Sequence, residues 1–76
     1  MGRLKQELNI RTRIHVFRAE HRLTQDDLAQ KVGVTRATIN ALEQGNYNPS
    51  LELAFRIARY FKTSIEDIFK IEEKKK

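Results

Sequence analysis

Apolar positions recur along the chain in short runs at helical spacing, with turn chemistry between them. From Gln25 to Gln44 they fall at Leu28, Val32, Val34, Ile39 and Leu42, with the small Ala29 inside the first run and Gly33 between the two. Two helices crossing steeply over one core have this pattern. Ala29 lets the second helix approach closely, and Gly33 can adopt the φ > 0 that a reversal after Val32 needs. Ile39 and Leu42 share the inward face of the second helix. Its outward face keeps Arg36, Ala37, Asn40 and Ala41, flanked by Thr35 and Thr38.

The pattern predicts three further helices. One runs from Arg13 to about His21, with Thr12 as its N-cap, Ile14, Phe17 and His21 on one side, and Val16 as an exposed apolar residue off the core stripe. Another runs from Leu51 to about Tyr60, capped by Ser50 after the turn-rich Asn46-Tyr47-Asn48-Pro49. Its core stripe is Leu53, Ala54, Ile57, Ala58 and Phe61, and Arg56 and Arg59 face solvent. The last begins at Ser64 and packs Ile65, Ile68 and Phe69 inward. Thr24 with Asp27, and Ser64 with Asp67, have capping-box spacing, while Thr35 caps the second helix of the central pair. Leu8 to Arg11 and Phe69 to Glu72 alternate in polarity, which predicts a small antiparallel ribbon made from the two ends. Residues 1–9 are expected to be a short basic arm or the start of a helix, and 73–76 a disordered tail.

Composition narrows the classes. Seventy-six residues with 39% hydrophobic content suit one all-α domain near the lower size limit for a single core. With no Cys there is neither a disulfide nor a thiolate metal site, so oligomerisation is expected as a further source of stability. No apolar stretch has membrane-spanning length, and a cytoplasmic location is expected. His15 and His21 lack an acid or Cys to complete a metal set; no cofactor, metal or catalytic group is expected, and Ser50 and Ser64 read as caps. The net charge of +5 favours anionic partners. Yet residues 1–22 carry net +4, residues 23–50 net −1 and residues 51–76 net +2, so the central pair is not itself basic. Charge alone says little.

The pair LTQDDLAQKVGVT and LEQG, followed by NYNPSLELAFRIARYF and SIEDIF, resembles the lambda-repressor-like (Cro/XRE-type) helix-turn-helix family from about Ile14 to Phe69. The resemblance implies a five-helix domain that binds duplex DNA, extended here by the ribbon, as in some small stand-alone repressors of that family. It also implies that Arg22 and Lys62 stand where the family often has a residue suited to φ > 0. The base-reading residues would be Arg36, Ala37, Thr38, Asn40 and Ala41. Arg36 can donate twice to guanine, Asn40 can pair with adenine, and the methyl groups can meet thymine. Because Ala37 offers no hydrogen bond, specificity leans on Arg36, Asn40 and DNA shape.

Phosphate contacts would come from Thr24 and Gln25 at a helix start, from Thr35, and from Gln44, Asn46, Tyr47 and Asn48 in a loop with backbone N–H groups to offer. The family pairs an Arg in its first helix with the Glu of the LExG ending. Here those are Arg18 and Glu43, a structural ion pair that also aims Arg18 at a phosphate. One recognition helix reads few base pairs, so a homodimer on a palindromic operator is expected. Its candidate surfaces are Leu8, Ile10, Val16, Phe55, Tyr60, Phe69 and Ile71. Repression by promoter occlusion is the simplest role for a chain without a further domain. Two alternatives stay open: an antitoxin that also holds a toxin partner, and a helical adaptor whose Arg36 face binds protein.

Overall fold

The computed structural model describes residues 9–72, as β1 (Asn9–Thr12), α1 (Ile14–Glu20), α2 (Gln25–Val32), α3 (Arg36–Gln44), α4 (Leu51–Tyr60), α5 (Ile65–Ile68) and β2 (Phe69–Glu72). Ile14, Leu28, Ile39, Leu42, Ile57 and Ile68 are fully buried and tie all five helices to one core. Ala29, Val32, Leu53, Ala58 and Phe61 complete the cluster, with Phe17, Leu23, Val34, Tyr60, Ile65 and Phe69 packed at its edge.

Local chemistry sets the helix ends. Thr24 and Asp27 close a reciprocal capping box at the start of α2, and Thr35 and Ser50 accept from the third residue of α3 and α4. At the other ends one device recurs four times. Arg22, Gly33, Gly45 and Lys62 all have φ between 57° and 80°. In each case the following amide reaches back five residues, as Leu23 N does to Arg18 O, Val34 N to Ala29 O, Asn46 N to Ala41 O and Thr63 N to Ala58 O. This left-handed stop satisfies carbonyls that have no intrahelical partner. Two glycines adopt it freely; Arg22 and Lys62 adopt it with a Cβ in the way.

The ends of the described segment pair as expected, one residue further along on the first strand. β1 and β2 are antiparallel, with Asn9 opposite Glu72, Ile10 opposite Ile71, Arg11 opposite Lys70 and Thr12 opposite Phe69. Alternation puts Ile10, Thr12, Phe69 and Ile71 on one face. That face begins on the core at Phe69 and runs outward to Ile71, which is 59% exposed.

The ribbon corrects the start of α1. Thr12 is a strand residue and does not cap the helix. Arg13 stands at the N-cap without a side-chain cap bond, and its amide donates to Ile68 O at 2.8 Å, continuing the ribbon's pairing. Thr12 Oγ1 stays 3.5 Å from the Ile14 amide. Val16 is half-buried rather than exposed, lining a shallow groove with Ile71. The Ser64 box closes on one side only: Ser64 Oγ accepts from Asp67 N, while the Asp67 carboxylate takes the Thr63 hydroxyl at 2.6 Å. Arg56 does not simply face solvent. It donates to Val32 O, the last carbonyl of α2, at 3.0 Å and to Glu52 at 2.8 Å. Leu8, the arm before it and the tail after Glu72 lie outside the described residues.

Candidate nucleic-acid interface

The outward face of α3 is set by what its inward face must do. Ile39 and Leu42 are fully buried, so the positions opposite them turn away from the protein. Arg36, Ala37 and Asn40 are exposed, while Thr38 and Ala41 are half-buried. The Thr38 hydroxyl is within 3.0 Å of the Thr35 hydroxyl at the helix cap, which ties it to the helix start. The free outer face therefore narrows to Arg36, Ala37 and Asn40.

A polar junction holds α3 against its neighbours. Arg18 of α1 meets Glu43 of α3 through two bonds, Nε to Oε2 at 2.8 Å and Nη2 to Oε1 at 3.1 Å, and its Nη1 donates to Leu23 O at 3.0 Å. Gln25 Nε2, at the first turn of α2, donates to Glu43 Oε1 at 3.0 Å and to Asn40 Oδ1 at 3.2 Å. Burial pushes the Glu43 carboxyl up. The bonds from Arg18 and Gln25, with the positive fields of Arg18 and His15, outweigh it and hold Glu43 below the usual carboxylate range. The bond to Glu43 raises the Arg18 guanidinium further above its ordinary value. Among the described residues no buried side-chain nitrogen or oxygen lacks a partner.

Around this face lie the residues expected to meet phosphate. Thr24 and Gln25 start α2, and Thr35 starts α3. Gln44, Asn46, Tyr47 and Asn48 are all exposed and line one groove with Arg11, His15 and Glu43. Two of the loop's amides are not free, because Gly45 N and Asn46 N donate to Leu42 O and Ala41 O in the helix cap. Each guanidinium nitrogen of Arg18 already makes one bond, which leaves one hydrogen on Nη1 and one on Nη2 for a phosphate. The Arg18–Glu43 pair that the family resemblance implied is present, whereas the links from Gln25 to Glu43 and Asn40 were not foreseen. Gln and Asn fifteen positions apart give no local signal; only the crossing of α2 and α3 brings them together. The Arg56 bond to α2 was missed for the same reason.

The described residues contain no helix long and apolar enough to cross a membrane, and no cluster of three potential metal ligands.

Two consecutive short helices joined at a left-handed glycine, the second with one face buried and the other offering polar and small side chains, define a helix-turn-helix domain. The helix-turn-helix family model matches residues 14–68, and the chain belongs to that family in its Cro/C1-type, XRE-like form. An HTH-type transcriptional regulator of Archaeoglobus fulgidus is 58% identical over 64 residues, covering 84% of this chain and 90% of the relative. The HTH-type transcriptional regulator YgzD of Bacillus subtilis is 41% identical over 64 residues, covering 84% and 97%. Among solved structures, the transcriptional regulator VanUg has a TM-score of 0.77 at 20% identity, covering 97% of this chain and 99% of that one, which shows a shared fold. The chain is thus a DNA-binding transcriptional regulator of the helix-turn-helix class.

Proposed function

We propose that this regulator is a repressor that binds a palindromic operator as a homodimer and blocks the promoter beneath it. The observation that carries the reading is the α3 face itself: Arg36, Ala37 and Asn40 project from a helix whose other side is fully buried and whose tilt is fixed by Glu43, Gln25 and Arg18. A guanidinium and a carboxamide on a rigid helix suit hydrogen-bond reading of the major groove, and Ala37 leaves room for a thymine methyl. Thr38 and Ala41 take part at the margin. Phosphates on either side are held by the α2 start at Thr24 and Gln25, by Thr35, by the 44–48 loop and by a remaining N–H of Arg18.

One α3 spans only a few base pairs, which favours two copies about 34 Å apart on successive major grooves. Apolar surface is present for such pairing. Phe55 is 56% exposed on α4 and Ile71 59% exposed on the ribbon, with Ile10 and Val16 beside Ile71. Leu51, one helical turn before Phe55 and 70% exposed, joins this set although its position at the helix start gave no sign of it. Tyr60 and Phe69 contribute less, because both already pack on their own core.

Selection from a pool of random duplexes at two salt concentrations tests the reading. Enrichment of an inverted repeat with half-sites about one helical turn apart is expected. Weak binding without sequence preference that disappears as salt rises would mean that only the net positive charge is acting.

A further inference from the structure

The α2–α3 unit has little positive charge for the partner it addresses. Residues 23–50 are net −1, whereas affinity for duplex DNA grows with each phosphate that a cation neutralises. Lys31 stands in the last turn of α2, in a groove with Arg56 and Arg59. Arg18 is largely neutralised by its bonds to Glu43. Arg36 is the one cation on α3. Further cations lie on the ribbon. Strand alternation sets Ile10, Thr12, Phe69 and Ile71 on one face, and Asn9, Arg11, Lys70 and Glu72 on the other. On this second face Arg11 stands directly opposite Lys70, and both are exposed. Like charges at such a pair repel. Glu72 offsets the repulsion only in part, because it is 3.6 Å from Arg11 and the two side chains are 52% and 67% exposed.

The position of Arg11 gives this charge a partner. Arg11 and His15 line one groove with Gln44, Asn46, Tyr47 and Asn48, the loop that takes phosphate in the proposed reading. Two carboxylates share that groove, and both are engaged: Glu43 by Arg18, and Glu72 by Arg11 itself. Lys70 lines the adjoining shallow groove, again with Arg11. We propose that the cationic face of the ribbon is a DNA-backbone contact, in which Arg11, with Lys70 beside it, engages the phosphate next to the one held by the 44–48 loop. The guanidinium keeps N–H donors beyond its pair with Glu72. A phosphate between Arg11 and Lys70 also relieves the repulsion that the strand register leaves there. Such a contact carries no base preference; it adds affinity and fixes the register of α3 in the groove. The ribbon thus has two working faces, an apolar one that reaches the core at Phe69 and a cationic one that meets DNA. This inference rests on the proposed phosphate contact of the 44–48 loop and carries the footprint past it.

The experiment measures affinity for the selected operator and for a scrambled duplex across a range of salt, with the full chain as parent, Arg11→Gln, Arg11→Lys, Lys70→Gln and Glu72→Gln. Arg11→Gln should weaken binding about tenfold, the size of one lost charged hydrogen bond. It should also reduce the slope of log affinity against log salt by about one. Both duplexes should weaken by the same factor, and Arg11→Lys should restore the slope. Lys70→Gln should act in the same direction and less. Glu72→Gln removes the competing carboxylate and should tighten binding, a gain that should vanish in an Arg11→Gln background. Because that effect is a gain, it decides the matter even where Arg11→Gln lowers the urea midpoint of the ribbon. A parental salt slope in a folded Arg11→Gln would overturn the inference and leave the patch to an acidic protein partner. So would an equal gain from Glu72→Gln in both backgrounds, which would make its charge act from a distance. In both cases the operator would still be enriched and DNA reading by α3 would stand. A parent that enriches no sequence would remove that reading, while the salt slopes on a random duplex would still decide the part of the ribbon.

Discussion

Arg18 and Arg56 both reach into the α2–α3 unit from a neighbouring helix, but on opposite terms. Arg18 comes from α1 and makes a two-pronged pair with Glu43, the two side chains being 20% and 9% exposed. Arg56 comes from α4 onto the Val32 carbonyl, and its charge partner Glu52 sits one turn back on the same helix, the pair being 50% and 75% exposed. Water screens the second more than the half-buried first. A shielded pair contributes little relative to apolar packing but costs much when broken, because one charge is left without a partner. An exposed pair contributes little either way. The orientation of α3 therefore depends on the α1 side of the unit, and the α4 side acts mainly through the turn at Gly33.

Removing one partner of the shielded pair should give the largest effect. Glu43→Ala is expected to lower unfolding stability by about 2 kcal/mol, because the partly buried Arg18 loses its charged partner, measured by urea denaturation; a variant as stable as the parent would mean that Glu43 does not hold the junction. Protonation should weaken the same point reversibly. Glu43 is held below the usual carboxylate range in the folded chain, as are Asp27 by the Thr24 amide and hydroxyl and Asp67 by Thr63 and Ser64. A depressed carboxylate stabilises the fold above its unfolded-state value and loses that contribution as pH falls through its folded-state value. Thermal midpoints should thus hold steady at neutral pH and decline as pH falls below about 4.

The α4 side should respond less, and through sterics. Gly33 has φ +80° and a Cβ there would stand 3.1 Å from Arg56 Nη1, whereas Gly45, at φ +79°, has nothing within 4 Å. Gly45→Ala should cost about 1 kcal/mol for the left-handed backbone alone. Gly33→Ala should cost about 0.5 kcal/mol more because it also dislodges Arg56, and that excess should vanish in an Arg56→Ala background. Equal costs at the two glycines would mean that the Arg56 contact is unimportant. Smallest is Arg56→Ala by itself, about 1 kcal/mol or less at so exposed a pair, read in the same denaturation series.

This difference also marks what could be read from the chain before folding. Helix placement was legible because Thr24, Thr35 and Ser50 cap, and Gly33 and Gly45 stop, through bonds to residues three to five away. The ribbon was legible from alternation, since both strands show it. The start of α1 was misplaced because the amide of Arg13 is claimed by Ile68, a residue remote in sequence. Arg18–Glu43 could be anticipated only through family resemblance, and Arg56–Val32 and Gln25–Asn40 not at all. Long polar side chains declare their partners only after helices cross. On the outer face of α3, Arg36, Ala37 and Asn40 were legible from periodicity, whereas the half-burial of Thr38 and Ala41 depends on how closely neighbouring elements pack.

The central claim is that the α3 face discriminates among DNA sequences. The most direct measurement is the ratio of affinities for the selected operator and a scrambled duplex of equal length, at physiological salt, for the parent and for Arg36→Ala. We expect the parent to prefer the operator by about a thousandfold or more. Arg36→Ala should reduce that ratio at least tenfold, as loss of a two-bond guanine contact requires. A parent that binds both duplexes equally, with Arg36→Ala weakening both by one common factor, would show Arg36 on the phosphate backbone and contradict base reading by α3.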